Sequence, residues 1–382
     1  MKHLGRLTRW FIAGGIALGI GLLVTACTND DPVEVLQEEL YVLNEKSNTL
    51  SIFTTPGLER HGDDIAMASP APHHLQFDHS HIYYFVVGRK QGGFVDKYDT
   101  ETNEHLATST IAHFFTGVET SPDAQNVYVT DFGQDITQRT KMYVLHAQDL
   151  RVLDSITCGS QPHYPEITGD GSTLVVVNAG SDELTLYYPT GDPENNVVNV
   201  KLDPDPDSAA PFGQPIFEPY GIAIAGDDSL AYISCRKSKV AGQATIFVFD
   251  IPRRMTIDTL YVPYVNRSGA GTNYRLGLCE LLEDDRYLAA TSQDGNSLFL
   301  LDVTDGSYEE AVFQHKVAFG VTATSDEKYL YVTVNNRNEA PGWVYEVNRD
   351  GGSLTVTDSV EVGMLPNGIH VKPGGHSHGG GH

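Results

Sequence analysis

Residues 331–336 read Tyr331-Val332-Thr333-Val334-Asn335-Asn336. A run of β-branched and aromatic residues that ends in turn formers is a strand signal. The run recurs in varied form as Tyr128-Val129-Thr130-Asp131, Val175-Val176-Val177-Asn178 and Tyr232-Ile233-Ser234-Cys235. Looser copies stand at 83–86, 289–292 and 41–44. Nine positions before the first residue of the copies lie His74, Glu119, Glu166, Ala223, Glu280 and Thr322, each inside a second short run of strand character. Several of these open on one pattern, as in Pro219-Tyr220-Gly221-Ile222 and Pro366-Asn367-Gly368-Ile369, and a tight turn follows, as in Ser121-Pro122-Asp123-Ala124. The unit repeats every 42 to 57 residues. A repeat of that length built from short strands is the signature of propeller blades.

The two ends of the repeat complete each other. Residues 366–372 form an inner strand with no partner after it, and 40–53 form a second and third strand with none before. Pairing the C-terminal strand with the N-terminal ones closes a ring of seven blades and removes its sheet edges. The expected fold is therefore an all-β seven-bladed propeller over 39–373, one ring despite a length that by itself suggests two or three domains.

Residues 1–26 read as a secretory leader, with Lys2, Arg6 and Arg9 before the apolar stretch 10–24. Val24-Thr25-Ala26-Cys27 resembles the lipobox of bacterial lipoproteins. The resemblance implies cleavage before Cys27, its lipidation, and a membrane anchor on an acidic tether over 27–38. It points to the cell envelope, periplasmic or on the outer-membrane surface. Residues 374–382 are a Gly-rich tail carrying three His, read either as a loose Zn²⁺, Cu²⁺ or Ni²⁺ binder or as a solvated end.

The chain has 50 acidic against 25 basic residues, a net charge of −25. That balance disfavours nucleic acid and anionic lipid surfaces as partners. Besides Cys27 there are Cys158, Cys235 and Cys279. A 235–279 disulfide and free buried thiols are both open readings. No Cys-x-x-Cys-His occurs, which excludes covalent c-type haem. The stretches 189–218 and 263–275 read as long surface loops.

In a propeller the inner strands start on the rim that also carries the loops joining second to third strands. That rim is expected to gather His73, His74, His113, His163, Tyr164, Tyr220 and His370 from the strands. The loops add Arg89, Arg236 and Arg337, and Arg275 stands just before an inner strand. The aligned position carries His74, Glu119, Glu166, Glu280 and His370, expected at one depth around the pore. Two imidazoles and three carboxylates suit copper or zinc. The carboxylates are expected to raise the pKa of neighbouring His. Polar groups that merely bond backbone N–H groups and water are the plainer alternative.

The Tyr-Val-Thr-Asn-type runs, the Pro219-Tyr-Gly-Ile opening and third strands such as Ile246-Phe-Val-Phe-Asp250 resemble YVTN-repeat (YncE-like) seven-bladed propellers over about 40–372. The resemblance is specific for fold and weak for function. More distant likenesses are the propellers of haem-type nitrite reductase and of nitrous oxide reductase, whose strand-start His Pro72-His73-His74 resembles. The clustering of these His, with the pore carboxylates, points to a transition metal or metal cofactor held by His73, His74, His113, His163, His370, Glu119 and Glu166, with Tyr164, Tyr220, Arg89 and Arg236 beside it. The full set of seven copper-ligating His is absent. Two further functions stand beside this one. One is an interaction scaffold for an envelope protein with no cofactor. The other is a lactonase-like hydrolase using Glu119 or Glu166 with His163 and Arg236.

Overall fold

The computed structural model describes residues 37–203, 205, 211–267, 275–282, 285–337 and 339–372. The leader, Cys27, most of the tether and the His-bearing tail lie outside the described residues, as does part of the 263–275 stretch. Among the described residues no helix is long and apolar enough to cross a membrane.

Seven sheets make a seven-bladed β-propeller, and six of them have four antiparallel strands in sequence order. Blades 1 to 6 have inner strands Pro72–Phe77, Phe115–Thr120, Pro162–Ile167, Pro219–Ile224, Leu276–Leu282 and Val317–Ala323. Blade 7 is composite. Its inner strand Pro366–Lys372 pairs antiparallel with Glu39–Asn44, in the register Tyr41↔His370 and Glu39↔Lys372. The closure expected from the sequence is the closure found.

The 189–218 stretch is not all loop. Val197–Lys201 forms the outer strand of blade 3 against Glu183–Tyr187. Its alternating Val-Val-Asn-Val-Lys was overshadowed by the prolines around it.

Apolar side chains collect between blades. Successive strand residues point to opposite sheet faces, so each blade feeds two interfaces. In blade 2, Val127 and Val129 pack toward blade 1 with Phe85 and Val87, while Tyr128 packs toward blade 3 with Leu174 and Val176. Seven such clusters join the seven pairs of adjacent blades.

The repeated motif has a physical reason. Each inner strand bears a bulge near its start, as between Phe115 and Val118 or Ala318 and Val321. The bulge leaves a glycine N–H without its ladder partner. In blade 6 the Thr333 hydroxyl accepts from Gly320 N–H at 2.9 Å and donates to Asn367 C=O of blade 7 at 3.3 Å. Thr130 does the same between Gly117 N–H, 3.0 Å, and His163 C=O, 2.8 Å. Ser234 joins Gly221 N–H to Gly277 C=O at 3.1 and 2.6 Å. The glycine is required because the next blade passes so close. A Cβ on Gly117 would stand 2.3 Å from His163 O, and one on Gly320 2.6 Å from Asn367 O. The hydroxyl of the motif is thus a staple between blades.

Candidate functional site

The repeat corrects one alignment. Gln76 pairs with Phe85, as Glu119 pairs with Tyr128 and His370 with Tyr41. Blade 1 is therefore offset by two residues from the reading that aligned Tyr83, because its run Tyr83-Tyr84-Phe85-Val86 offers two equivalent starts. The ring at one depth is Gln76, Glu119, Glu166, Ala223, Glu280, Thr322 and His370. His74 sits one rung nearer the mouth. All eight line a pore cavity of about 350 Å³.

Ring members staple neighbouring inner strands. Glu166 accepts from Ile224 N–H at 3.0 Å and Glu280 from Ala323 N–H at 3.1 Å. Gln76 donates to both oxygens of Glu119 at 3.0 and 3.1 Å.

Burial moves the protons opposite to expectation. It pushes Glu119 up to about 7 against the bonds from Gln76 and Thr120, and Glu166 and Glu280 up to about 8. Burial also lowers the imidazoles: His370 to about 4, and His74 and His163 well below the ordinary value. The sequence reading had the carboxylates raising these His. Desolvation of the charged form outweighs their attraction, and carboxyls that hold their own protons have little charge to offer.

Blades 1 and 3 depart from the repeat at both ends of the staple. His74 and Tyr164 replace the glycine, and Val87 and Val177 replace the hydroxyl. The two rings meet in the pore, with centroids 4.3 Å apart. Val118 N–H donates to His74 Nδ1 at 3.2 Å, so the neutral ring carries its proton on Nε2, which donates to Tyr164 Oη. Both nitrogens of His74 are engaged.

One step toward the mouth lies a layer of rings. His73 and His163 have centroids 6.4 Å apart, His163 and Tyr220 3.8 Å, Tyr220 and Phe319 6.2 Å, and Phe319 and His73 5.9 Å. This closed circuit stands between the pore and the mouth. His73 Nδ1 donates to Glu45 at 2.7 Å. Burial pushes the Glu45 carboxyl up, but His73, Arg89 and Asn367 together hold it below the usual range. His163 Nδ1 donates to Tyr220 C=O at 3.1 Å, and its buried Nε2 has no partner.

Above the rings is a cup of about 340 Å³ lined by Arg89, Arg275, Arg337, Gln293, Asp294, Asn335, Phe319 and Asn367, with Val317 and Leu365. Three guanidiniums here stand out on a chain of charge −25. Asp294 lies 3.7 Å from Arg275 and 3.4 Å from Arg337, long for guanidinium–carboxylate bonds. Gln293 and Asn367 are 5 % and 2 % exposed. Gln293 Nε2, Asn367 Oδ1 and Arg89 Nε have no partner. Each such buried group costs about 1–3 kcal/mol unless something bonds it.

The predicted residues therefore divide among levels. Glu119, Glu166, His74, Tyr164 and His370 line the pore, and His73, His163 and Tyr220 form the ring layer. Arg89 lines the cup. Arg236 stacks over Tyr220 at 4.7 Å and pairs with Glu218 at 2.8 Å. His113 stands apart, bonded to Asp131 at 3.0 Å and Tyr143 at 2.9 Å. Among the described residues no three His, Cys, Asp or Glu side chains converge as a metal set. The hydrolase set of Glu119 or Glu166 with His163 and Arg236 is split between pore and mouth. Cys158, Cys235 and Cys279 are free thiols. Burial pushes Cys158 and Cys279 up to about 12, which keeps them protonated and unreactive.

Gln76, Gln293 and Asn367 were not singled out beforehand, yet two columns of the repeat hold the mouth residues. Four positions after each motif start come Arg89, Phe132, Ala179, Arg236, Gln293, Asn335 and Glu45. Three before each ring residue come His73, Thr116, His163, Tyr220, Gly277, Phe319 and Asn367.

No protein-family model matches the chain, and no curated protein matches it. Solved structures do. A periplasmic gluconolactonase of Pseudomonas aeruginosa is 17 % identical, with 88 % of this chain and 99 % of that one covered and a TM-score of 0.68. A putative 6-phosphogluconolactonase of Bacteroides fragilis is 18 % identical over 88 % and 98 %, TM-score 0.64. A hypothetical selenium-binding protein of Sulfolobus tokodaii is 11 % identical over 90 % and 95 %, TM-score 0.70. At these identities the likeness speaks for the fold.

Proposed function

We propose that this chain is a lipid-anchored, YVTN-type propeller of the cell envelope that binds a small polar molecule at its mouth. The observation that carries the reading is the cup with its unpartnered Gln293 Nε2 and Asn367 Oδ1, both deeply buried. Buried polar groups left open beside guanidiniums suit a ligand that supplies the missing bonds. The copper or zinc expected from the sequence ranks behind it, since no three donor side chains converge among the described residues. An envelope protein partner remains the scaffold alternative, with the same rim as its contact face.

Lactone hydrolysis is a second reading. Two structural neighbours are named as a gluconolactonase and a putative 6-phosphogluconolactonase. Here its support is His163 Nε2, a buried neutral nitrogen with no partner, although burial and the nearby Arg89 and Arg236 weaken it as a base.

The test uses full-length protein extracted from its own membranes with detergent. Wild type should fractionate with membranes and Cys27→Ser should not. Mass spectrometry of the denatured wild type should show a released small molecule near one per chain, absent from Arg89→Gln/Gln293→Leu. If wild type and double variant release the same species, or neither releases any, the mouth is not a ligand site.

A further inference from the structure

The mouth has a chemical preference that follows from its donors and acceptors. Arg89, Arg275 and Arg337 bring three positive charges; Asp294 lies beside Arg275 and Arg337, and Glu45 and Glu339 also act on Arg89 and Arg337. Arg89 Nε and Gln293 Nε2 are donors with no acceptor. Asn367 Oδ1 is an acceptor with no donor, its amide nitrogen being committed to Glu45. The floor is apolar and aromatic, with Phe319 from the ring layer and Val317 and Leu365 beside it. A single water molecule does not answer this set, because Arg89 Nε and Gln293 Nε2 are two separate open donors beside guanidiniums. An oxyanion does, since the guanidinium fork matches carboxylate or phosphate oxygens. A hydroxyl on the same molecule would donate to Asn367. A pyranose ring suits the apolar floor, and about 340 Å³ lies at the small end of ordinary ligand sites.

Resting on the reading of the mouth as the binding site, we propose that its ligand is a small hydroxylated oxyanion. A sugar acid or sugar phosphate has that chemistry, with its anionic group between Arg89 and Arg337 and a hydroxyl on Asn367. The whole-chain charge works against such a ligand at long range. The cup must overcome it locally: salt screens the distant repulsion, whereas the guanidinium contacts lie well inside a Debye length of ~8 Å at physiological ionic strength and are screened much less.

The experiment is calorimetric titration of the full chain with three probes that share one ring: D-galacturonate, D-galactose 6-phosphate and D-galactose. At least one anion should bind ten-fold or more tighter than galactose, and which one separates carboxylate from phosphate. Arg89→Gln and Gln293→Leu should each weaken the preferred anion at least ten-fold. Gln293→Glu keeps the side-chain shape and adds a carboxylate; it should abolish anion binding in a protein whose cooperative melting shows that it is still folded. Parity of both anions with galactose overturns the inference, as does anion binding unchanged in Gln293→Glu. A released native ligand that proves neutral would leave the mouth as a site and remove only the anion. Loss of both would remove the site itself.

Discussion

Glu280 shows what a shared pore does to a carboxyl. Burial raises it from the ordinary carboxylate range to about 8, although Ala323 N–H bonds its charged form. The native state therefore prefers the protonated acid. Its contribution to stability is complete below the unfolded value, ~4.3, and is lost as pH rises through about 8. His370 has the opposite sign: lowered to about 4, it contributes above ~6.5 and loses that as pH falls. Glu280→Gln removes the titration and keeps an oxygen for Ala323. Its melting temperature should approach wild type's near pH 4 and exceed it by several degrees near pH 9, for about 1–3 kcal/mol after allowance for contact with pore water. A difference that does not vary with pH would refute the burial argument. The position of these carboxyls was legible in the sequence, because it follows from the repeat. Their protonation was not, because desolvation depends on how closely seven strands converge.

At the scale of the element, the unit that holds the ring is the glycine–hydroxyl staple. Thr333→Val keeps the shape, leaves Gly320 N–H without an acceptor and takes the donor from Asn367 C=O. Thr333 is fully buried. The cost should be about 1–3 kcal/mol in denaturant unfolding with an unchanged m-value. Gly320→Ala should cost at least as much, since its Cβ would press on the Asn367 carbonyl. If Thr333→Val stays within about 0.5 kcal/mol of wild type, the staple is not what the motif is for. The sequence displayed this element well, since Thr, Ser and Gly recur at fixed offsets. It misplaced blade 1 by one rung because Tyr83 and Phe85 are equally good strand starts, and only the pairing of Gln76 with Phe85 separates them. The same offset hid the pair His74–Tyr164. Both residues occupy the glycine position of their blades, and the loss of glycine and hydroxyl together marks where the pore was altered.

For the whole molecule, stability lies between blades, so the ring depends on its last joint. The strand Pro366–Lys372 bonds Glu39–Asn44 and places Ile369 and Val371 in a cluster with Leu40, Val42, Tyr331 and Val344. Removing 366–372 strips two apolar side chains at roughly 1.5–3 kcal/mol each. It also breaks the strand's backbone ladder and bares the edge of Glu39–Asn44. The sum rivals the 5–15 kcal/mol net stability of an ordinary domain. An open edge of Leu-Tyr-Val-Leu is moreover a template for pairing with another chain. The shortened protein should therefore be oligomeric or insoluble by light scattering. A peptide of sequence Pro-Asn-Gly-Ile-His-Val-Lys, supplied during refolding, should restore some monomer because it completes blade 7 in trans. The same peptide with Ile and Val replaced by Asp should not. A shortened chain that stays monomeric and melts with the full one would mean that six blades and a four-stranded remnant suffice. The interfaces, not the closure, would then carry the ring.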